Sequence, residues 1–258
     1  MTELVGPELV RGEVRNGAAW ILLDSPANRN ALSRQLINEL QEALTWAADS
    51  AEARYVVLGH TGSTFCAGAD LAEASSADRS RQPAVLLGQL LRALLAHPKP
   101  VVAAVDGHVR AGGMGLVGAC DLAVATERAS FGLTEVRLGL AASVISVVVA
   151  PRLSDRDAAC LFLGGSVQSA ERMRAVGFLT AVVDDLQAGV TELTAGIVKG
   201  SPQGLRESKR VLNQPLLADF DTRMDGLLQL SADLFASDEA REGMAAFLDK
   251  REPRWNRG

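Results

Sequence analysis

Apolar residues recur along the chain in two rhythms, and each rhythm predicts its own element. Segments 8–14 and 18–23 read as strands separated by Asn16-Gly17, a dipeptide that tolerates positive φ and closes tight hairpins. After the turn-rich stretch 25–30, apolar residues fall at Leu36, Ile37, Leu40, Ala43, Leu44 and Ala47, one face of a helix that Ser33 is placed to cap. Short apolar runs at 55–58, 101–105 and 122–125 predict buried strands, and 83–96 has helical spacing that Pro98 and Pro100 end. The most hydrophobic stretch, 138–150, carries Gly and Ser, stops at Pro151, and falls short of the ~20 residues a spanning helix requires, so it reads as buried core.

From Ser154 onward helical signals dominate. Ser154 and Asp157 form a capping pair, a short helix starts at Ser169 and ends at Gly177, and 178–183 reads as one more strand. Segments 186–199, 202–213, 215–236 and 238–250 then read as helices with short connections. No repeat and no low-complexity linker is visible. The pattern predicts an α/β core over 1–190 carrying a helical region over 191–258.

Composition narrows the classes of function. The chain has 258 residues, 48% hydrophobic and 22% charged, as a globular protein does, and a formal charge of −5 over both signs gives no broad basic face for a nucleic acid. Cys66, Cys120 and Cys160 are too few and too scattered for a disulfide framework, and read as reduced thiols of a cytoplasmic protein. The first residues carry neither a basic n-region nor an apolar h-region, so neither export nor membrane insertion is expected. His60, His97 and His108 are too dispersed for a metal site, and no Gly-x-Ser-x-Gly elbow marks a serine hydrolase.

Two glycine-bearing loops stand out. Five glycines, at 107, 112, 113, 115 and 118, follow the 101–105 strand, and Gly113-Met-Gly115-Leu-Val-Gly118 spells a dinucleotide fingerprint. Context argues against that use: the first glycine of a dinucleotide site ends its strand, whereas seven residues lie between Val105 and Gly113. Glycines at a helix start instead let a ligand reach N–H groups that lack helical partners and lie at the positive end of the dipole. A second such place is Ala67-Gly68-Ala69-Asp70, where small side chains again leave amides reachable. Two amides from two loops make an oxyanion hole. The polar segment 72–82, rich in Ser and Asp, has the composition of a mobile lid.

These residues carry a resemblance. Pro26-x-x-x-Asn30-Ala31-Leu32, Phe65-Cys-Ala-Gly-Ala-Asp-Leu71, Lys99-Pro-Val-Val-Ala-Ala-Val-Asp-Gly107, Gly112-Gly-x-Gly-Leu, Cys120-Asp121 and Phe131-Gly-x-x-Glu135-Val-x-Leu-Gly139 resemble, in order and spacing, the crotonase (enoyl-CoA hydratase/isomerase) superfamily. The segment from Phe235 to Arg251 is also similar to that family's C-terminal end. The resemblance implies a spiral of strand-strand-helix turns, a C-terminal helical region that assembles subunits and covers the site, and homotrimers or dimers of trimers. It also implies a coenzyme A thioester as substrate and no separate cofactor. It places the oxyanion amides on Ala69 and Gly112, where the glycine argument had put them, and the proton-carrying acid on Glu135. It implies acyl-CoA contacts from Arg29, Ala31, Ala67, Gly68, Asp70, Leu71, Gly115, Phe247 and Lys250.

One station departs from the family. Its hydratases carry two glutamates, and the earlier one falls on Gly115. A lone carboxylate beside an oxyanion hole suffices to take a proton from one carbon and return it elsewhere, as in the family's double-bond isomerases. Against this, a hydratase branch with Gly-x-Gly-Leu here continues much as Leu140-Ala-Ala-Ser-Val-Ile-Ser146 does. Hydration of a 2-enoyl thioester is therefore the expectation, beside isomerisation, another acyl-CoA reaction, or binding without catalysis. Plainer readings stand alongside: Glu135 as a solvated acid, Asp70 as a helix cap, and Arg29, Phe247 and Lys250 as surface residues.

Overall fold

A computed structural model describes residues 3–4, 8–70, 73 and 82–256. The chain opens with the hairpin β1 (Val10–Arg15) and β2 (Ala18–Leu23), turning at Asn16-Gly17 with both residues at positive φ (51° and 75°). Helix α1 (Arg34–Asp49) begins at Ser33, whose hydroxyl accepts the Leu36 N–H, and its six apolar positions are all buried.

Three times a long strand is followed by a short one. β3 (Tyr55–His60) leads to β4 (Thr64–Cys66), β5 (Val101–Val105) to β6 (His108–Arg110), and β7 (Leu122–Thr126) to β8 (Ser130–Gly132). The helices α2 (Gln82–Ala96), α3 (Gly112–Ala119) and α4 (Ser143–Val149) follow in turn. The long strands join a six-stranded sheet, β1-β2-β3-β5-β7-β10, where β10 is Ala181–Val183. The short ones form a second sheet, β4-β6-β8-β9, where β9 is Val167–Ser169. This is the strand-strand-helix spiral that the resemblance implies. It repeats in space with no repeat in sequence.

Alternation across the parallel strands separates two apolar layers. Val56, Leu58, Val101, Ala103 and Val105 join α1 to α4 in the main core, whereas Tyr55, Val57, Val102 and Ala104 meet Trp20 and Val190 on the opposite face. The second face is covered by α7 (Leu186–Thr194). Between them come α5 (Asp155–Gly164), capped by Ser154, and α6 (Ala170–Ala175), capped by Ser169. Only 181–183 of the expected 178–183 strand pairs in the sheet; Phe178 and Leu179 are instead buried in the main core, hydrogen bonded to Met173 O.

The C-terminal region corrects one expectation. Segments 202–213 and 215–236 are a single helix, α8 (Pro202–Phe235), with Pro215 inside it. An interior proline costs ~3 kcal/mol through its lost N–H and ring clash. Anchors on both sides hold the helix through it: Phe220, Met224 and Leu228 enter the core, while Lys209 is buried against Asp121 at 2.8 Å. Lys209 Nζ also donates to Leu94 O (3.0 Å) and Lys99 O (3.2 Å), and Asn213 donates to Leu95 O and Asp121 Oδ1, both 3.0 Å. The last helix, α9, is Asp238–Leu248. No helix among the described residues is long and apolar enough to cross a membrane.

Removing one member of a buried, hydrogen-bonded ion pair strands the other. Lys209→Ala is expected to cost about 3 kcal/mol, the lower end for such pairs because Asp121 keeps some solvent contact. Urea denaturation checks this, as a fall in the unfolding midpoint at unchanged slope.

Candidate active site

Parallel strands end on the same side of a sheet, so β3 and β5, paired Val56↔Val101 to Leu58↔Ala103, deliver their loops to one place. The first loop is sewn down by its neighbours. Asn30, fully buried, donates from its amide to Thr61 O (3.1 Å) and Thr64 O (2.7 Å) and accepts Ser25 N–H through Oδ1 (2.7 Å). Ala67 N–H then donates to Arg29 O (3.1 Å), and Leu32 N–H donates to Gly68 O (2.8 Å). With these bonds made, the Ala69 N–H has no acceptor among the described residues.

The second loop is Ala111, between β6 and α3. Its φ of 47° and ψ of −118° belong to a region that L-residues rarely adopt, at a cost of order 1–3 kcal/mol. Two bonds hold it there: Ala111 N–H donates to Gly132 O (3.3 Å), and Met114 N–H donates to Ala111 O (2.9 Å). Gly112 starts the helix, and its N–H has no acceptor among the described residues. It lies at the positive end of the helix dipole.

The loops touch backbone to backbone. A Cβ at Gly68, whose φ is +97°, would lie 2.7 Å from Ala111 Cβ and 3.7 Å from Gly112 N. A Cβ at Gly113 would lie 2.8 Å from Cys66 Cβ and 3.0 Å from Cys66 O. Cys66 sits between the loops, its sulfur accepting the Gly68 N–H at 3.4 Å. Burial pushes its thiol up to about 12, against the pull of that N–H, so it packs as a neutral group and is no nucleophile.

Glu135 enters from the neighbouring strand. Gly132, which accepts the Ala111 N–H, ends β8, and three residues later Glu135 begins the 3-10 turn Glu135–Leu138. Its Oε2 is buried with no hydrogen-bond partner among the described residues. Burial pushes the carboxyl up to about 7, while the backbone N–H groups of Glu135 and Thr134 pull it down. An acid poised near neutrality suits proton transfer at neutral pH.

At Gly115 the space for an acid is filled. A Cβ there would lie 2.6 Å from Ile145 Cγ2 and 3.3 Å from Leu91 Cδ2. Ile145 of α4 thus fills the space beside Gly115, where the resemblance puts an earlier glutamate, and makes that wall apolar.

The other expected contacts fall as follows. Ala31 and Gly68 are buried and Ala67 is half-buried beside the first loop. Asp70 accepts the Asn28 side-chain amide (2.8 Å) and the Glu73 N–H (3.3 Å), consistent with a cap. Arg29 is exposed, at φ 52°, and its carbonyl receives the Ala67 N–H. Phe247 and Lys250 are exposed at the end of α9. Leu71 lies outside the described residues, as does the 72–82 segment apart from Glu73 and the start of α2. Sequence reasoning missed Asn30, Cys66, Ala111 and Ile145 as parts of the site. Asn30 and Cys66 lay inside quoted motifs without a role, and Ala111 had no signal beyond its place before Gly112-Gly113.

Two amides without acceptors among the described residues, and an acid raised toward neutrality, suit a class of protein that polarises a carbonyl and moves a proton. The comparisons narrow this class. The family model for enoyl-CoA hydratase/isomerase matches residues 13–258. Mevalonyl-coenzyme A hydratase of Aspergillus fumigatus is 34% identical over 91% of this chain and 90% of its own. Crotonyl-CoA hydratase of Syntrophomonas wolfei is 30% identical over 91% and 92%. The crystal structure of an enoyl-CoA hydratase from Mycobacterium avium superposes with a TM-score of 0.91 at 46% identity, over 96% of this chain and 99% of that one. The chain belongs to the enoyl-CoA hydratase/isomerase family of the crotonase superfamily.

Gly68→Ala adds a methyl where Ala111 Cβ already stands and strains a positive φ. It is expected to displace the Ala69 amide and lower kcat about 100-fold, the usual worth of one oxyanion donor, with a smaller change in KM. Steady-state kinetics on an enoyl-CoA thioester measures both.

Proposed function

We propose that the protein hydrates a 2-enoyl-CoA thioester, with Glu135 as its sole proton carrier. One observation carries the reading: the Glu135 carboxyl, its Oε2 buried without a partner among the described residues, is held near neutrality in a chain whose Ala69 and Gly112 amides also lack acceptors there. The Ala69 and Gly112 N–H groups donate to the thioester oxygen and strengthen as it gains enolate charge, each worth ~3 kcal/mol in the transition state. The Glu135 carboxylate takes a proton from water as the hydroxyl bonds to Cβ. Electrons shift from the double bond to the enolate oxygen, and the same proton then passes from Glu135 to Cα. Atoms and charge balance with one acid.

Coenzyme A arrives as part of the substrate, so this route draws on no separate cofactor. Arg29, Phe247 and Lys250 are exposed and placed by family resemblance to meet its nucleotide end. Ala31, Ala67, Gly68, Asp70, Leu71 and Gly115 would line the acyl and pantetheine path. A homotrimer or a pair of trimers is the proposed assembly, with exposed Leu163, Val167, Leu212 and Phe235 as apolar surface for it.

The apolar wall at Gly115 supports a second reading, double-bond isomerisation. There Glu135 removes a proton from Cα of a 3-enoyl thioester and returns it at the far carbon, and no water need be held. Purified protein offered 2-enoyl- and 3-enoyl-CoA separates the two. Formation of 3-hydroxyacyl-CoA from the 2-enoyl substrate supports hydration. Conversion of 3-enoyl to 2-enoyl without hydration replaces it by isomerisation, and thioester binding without turnover of either makes the chain a binding protein.

Glu135→Gln is expected to lower kcat at least 100-fold, as loss of a general acid–base does, with thioester binding retained. Wild-type turnover in that variant sinks Glu135 as the carrier. Both reactions start from the carboxylate, so kcat/KM should rise with pH through an acidic limb near 7. A pH–rate profile reads the limb directly, and a limb in the ordinary carboxylate range contradicts the assignment.

A further inference from the structure

The turn that carries Glu135 is short and has few bonds of its own. Its N-terminal residue Thr134 makes no side-chain cap, and at its other end both the Gly139 and the Leu140 N–H (3.0 Å) return to the Glu135 carbonyl. A 3-10 turn of four residues is a weak element in isolation. What holds it is the last helix of the chain, about a hundred residues further on.

Helix α9 meets the turn with no side chain between them. A Cβ at Gly243 would lie 2.5 Å from Leu138 O and 2.7 Å from Leu138 Cα. From the turn's side, a Cβ at Gly139 would lie 2.6 Å from the Glu239 carbonyl carbon and 2.9 Å from Ala240 N. Ala240, Gly243 and Ala246 are all buried, at the three-residue spacing that puts them on one face of the helix. The helix is fixed at both ends. Ser237 Oγ accepts the Ala240 N–H (3.1 Å), and Glu242, beside Gly243, accepts from Arg251 Nη1 (2.7 Å), Arg251 Nη2 (3.1 Å) and the Arg254 N–H (3.0 Å). The chain after α9 thus folds back and ties the helix down where it presses on the turn.

We infer that α9 is a positioning element for Glu135, and that the contact of Gly243 and Glu239 with Leu138 and Gly139 seats the turn that aims the carboxyl. This rests on Glu135 being the proton carrier. A displacement of about 1 Å at a reacting group can cost 100-fold in rate, so the seat matters to turnover as well as to stability. The seat also preserves burial of the carboxyl. The charged groups on the elements packed against the turn are Asp238, Glu239, Arg241 and Glu242 on α9, Asp155, Arg156 and Asp157 on α5, and Arg137 on the turn itself. None of them figures in the shift of Glu135, which follows from burial and two backbone amides.

The test is Gly243→Ala in the full-length protein, which forces the helix and turn apart by a methyl. The expected result is a fall in kcat of about 10- to 100-fold with KM little changed, and an acidic limb moved down from near 7 as the carboxyl gains water. Arg251→Ala adds no atom at the contact and frees Glu242; it is expected to move both readouts the same way by less, and covers the case in which Gly243→Ala does not fold. Leu248→Ala, exposed on the same helix, should change neither. A 13C NMR titration of the Glu135 carboxyl in wild type and variants reads the seat without turnover. A titration point unmoved in both variants overturns the inference. A point that moves in a protein whose Glu135→Gln variant still turns over supports the seat while sinking the proposed reaction.

Discussion

The site depends on backbone meeting backbone where side chains are absent. Gly68 lies against Ala111 and Gly112, and Gly113 lies against Cys66, at separations that no Cβ on those glycines would fit. This approach sets the Gly68–Ala69 loop against the start of α3, where the Gly112 N–H lies. A buried, unsatisfied N–H such as that of Gly112 costs about 1–3 kcal/mol, and a strained backbone such as Ala111 costs a similar amount. These costs are offset around the site: Asn30 satisfies three backbone groups, Gly132 O takes the Ala111 N–H, and Cys66 Sγ takes that of Gly68. What is left unpaired is what the carbonyl of a substrate would pair.

The same rule explains the acid. Where glycine stands at 115, the neighbouring α4 moves in and Ile145 takes the volume. Position 115 therefore supplies no second carboxylate. A second negative charge would raise the acid further by repulsion; here burial alone brings it near neutrality. One group can therefore act as base and then as acid within a single turnover, which is the minimum that enolate chemistry on a thioester demands.

Much of this was legible in the sequence because it is local. The 101–105 strand is observed at its expected bounds, and Ser33, Ser154 and Ser169 cap the helices they were expected to cap. Both loops of unpaired amides followed from glycine chemistry and strand order. The unread parts share a cause. Strands of three residues, β4, β6, β8 and β9, are too short to show a period and exist only through pairing in space. Pro215 reads as a helix boundary, and only the anchors at Lys209 and Phe220, on opposite sides of it, carry the helix through. Ile145 against Gly115 and Gly243 against Leu138 join residues far apart in sequence, so neither partner advertises the other.

Burial of Glu135 links function to stability with opposite signs. The folded carboxyl holds its proton up to about 7, whereas the unfolded one loses it near its ordinary value of 4.5. Between these values the folded state binds more protons, so this residue's contribution makes the fold less stable as pH rises through the window. Over the same range the carboxylate that the proposed reaction needs becomes populated. The fold therefore keeps the acid near neutrality only by holding it against its own tendency to reach water. The turn has little of its own to do this with, and the restraint comes from outside it: from Gly132 and Ala111 on one side, and on the other from α9, whose glycine leaves no gap for the turn to relax into.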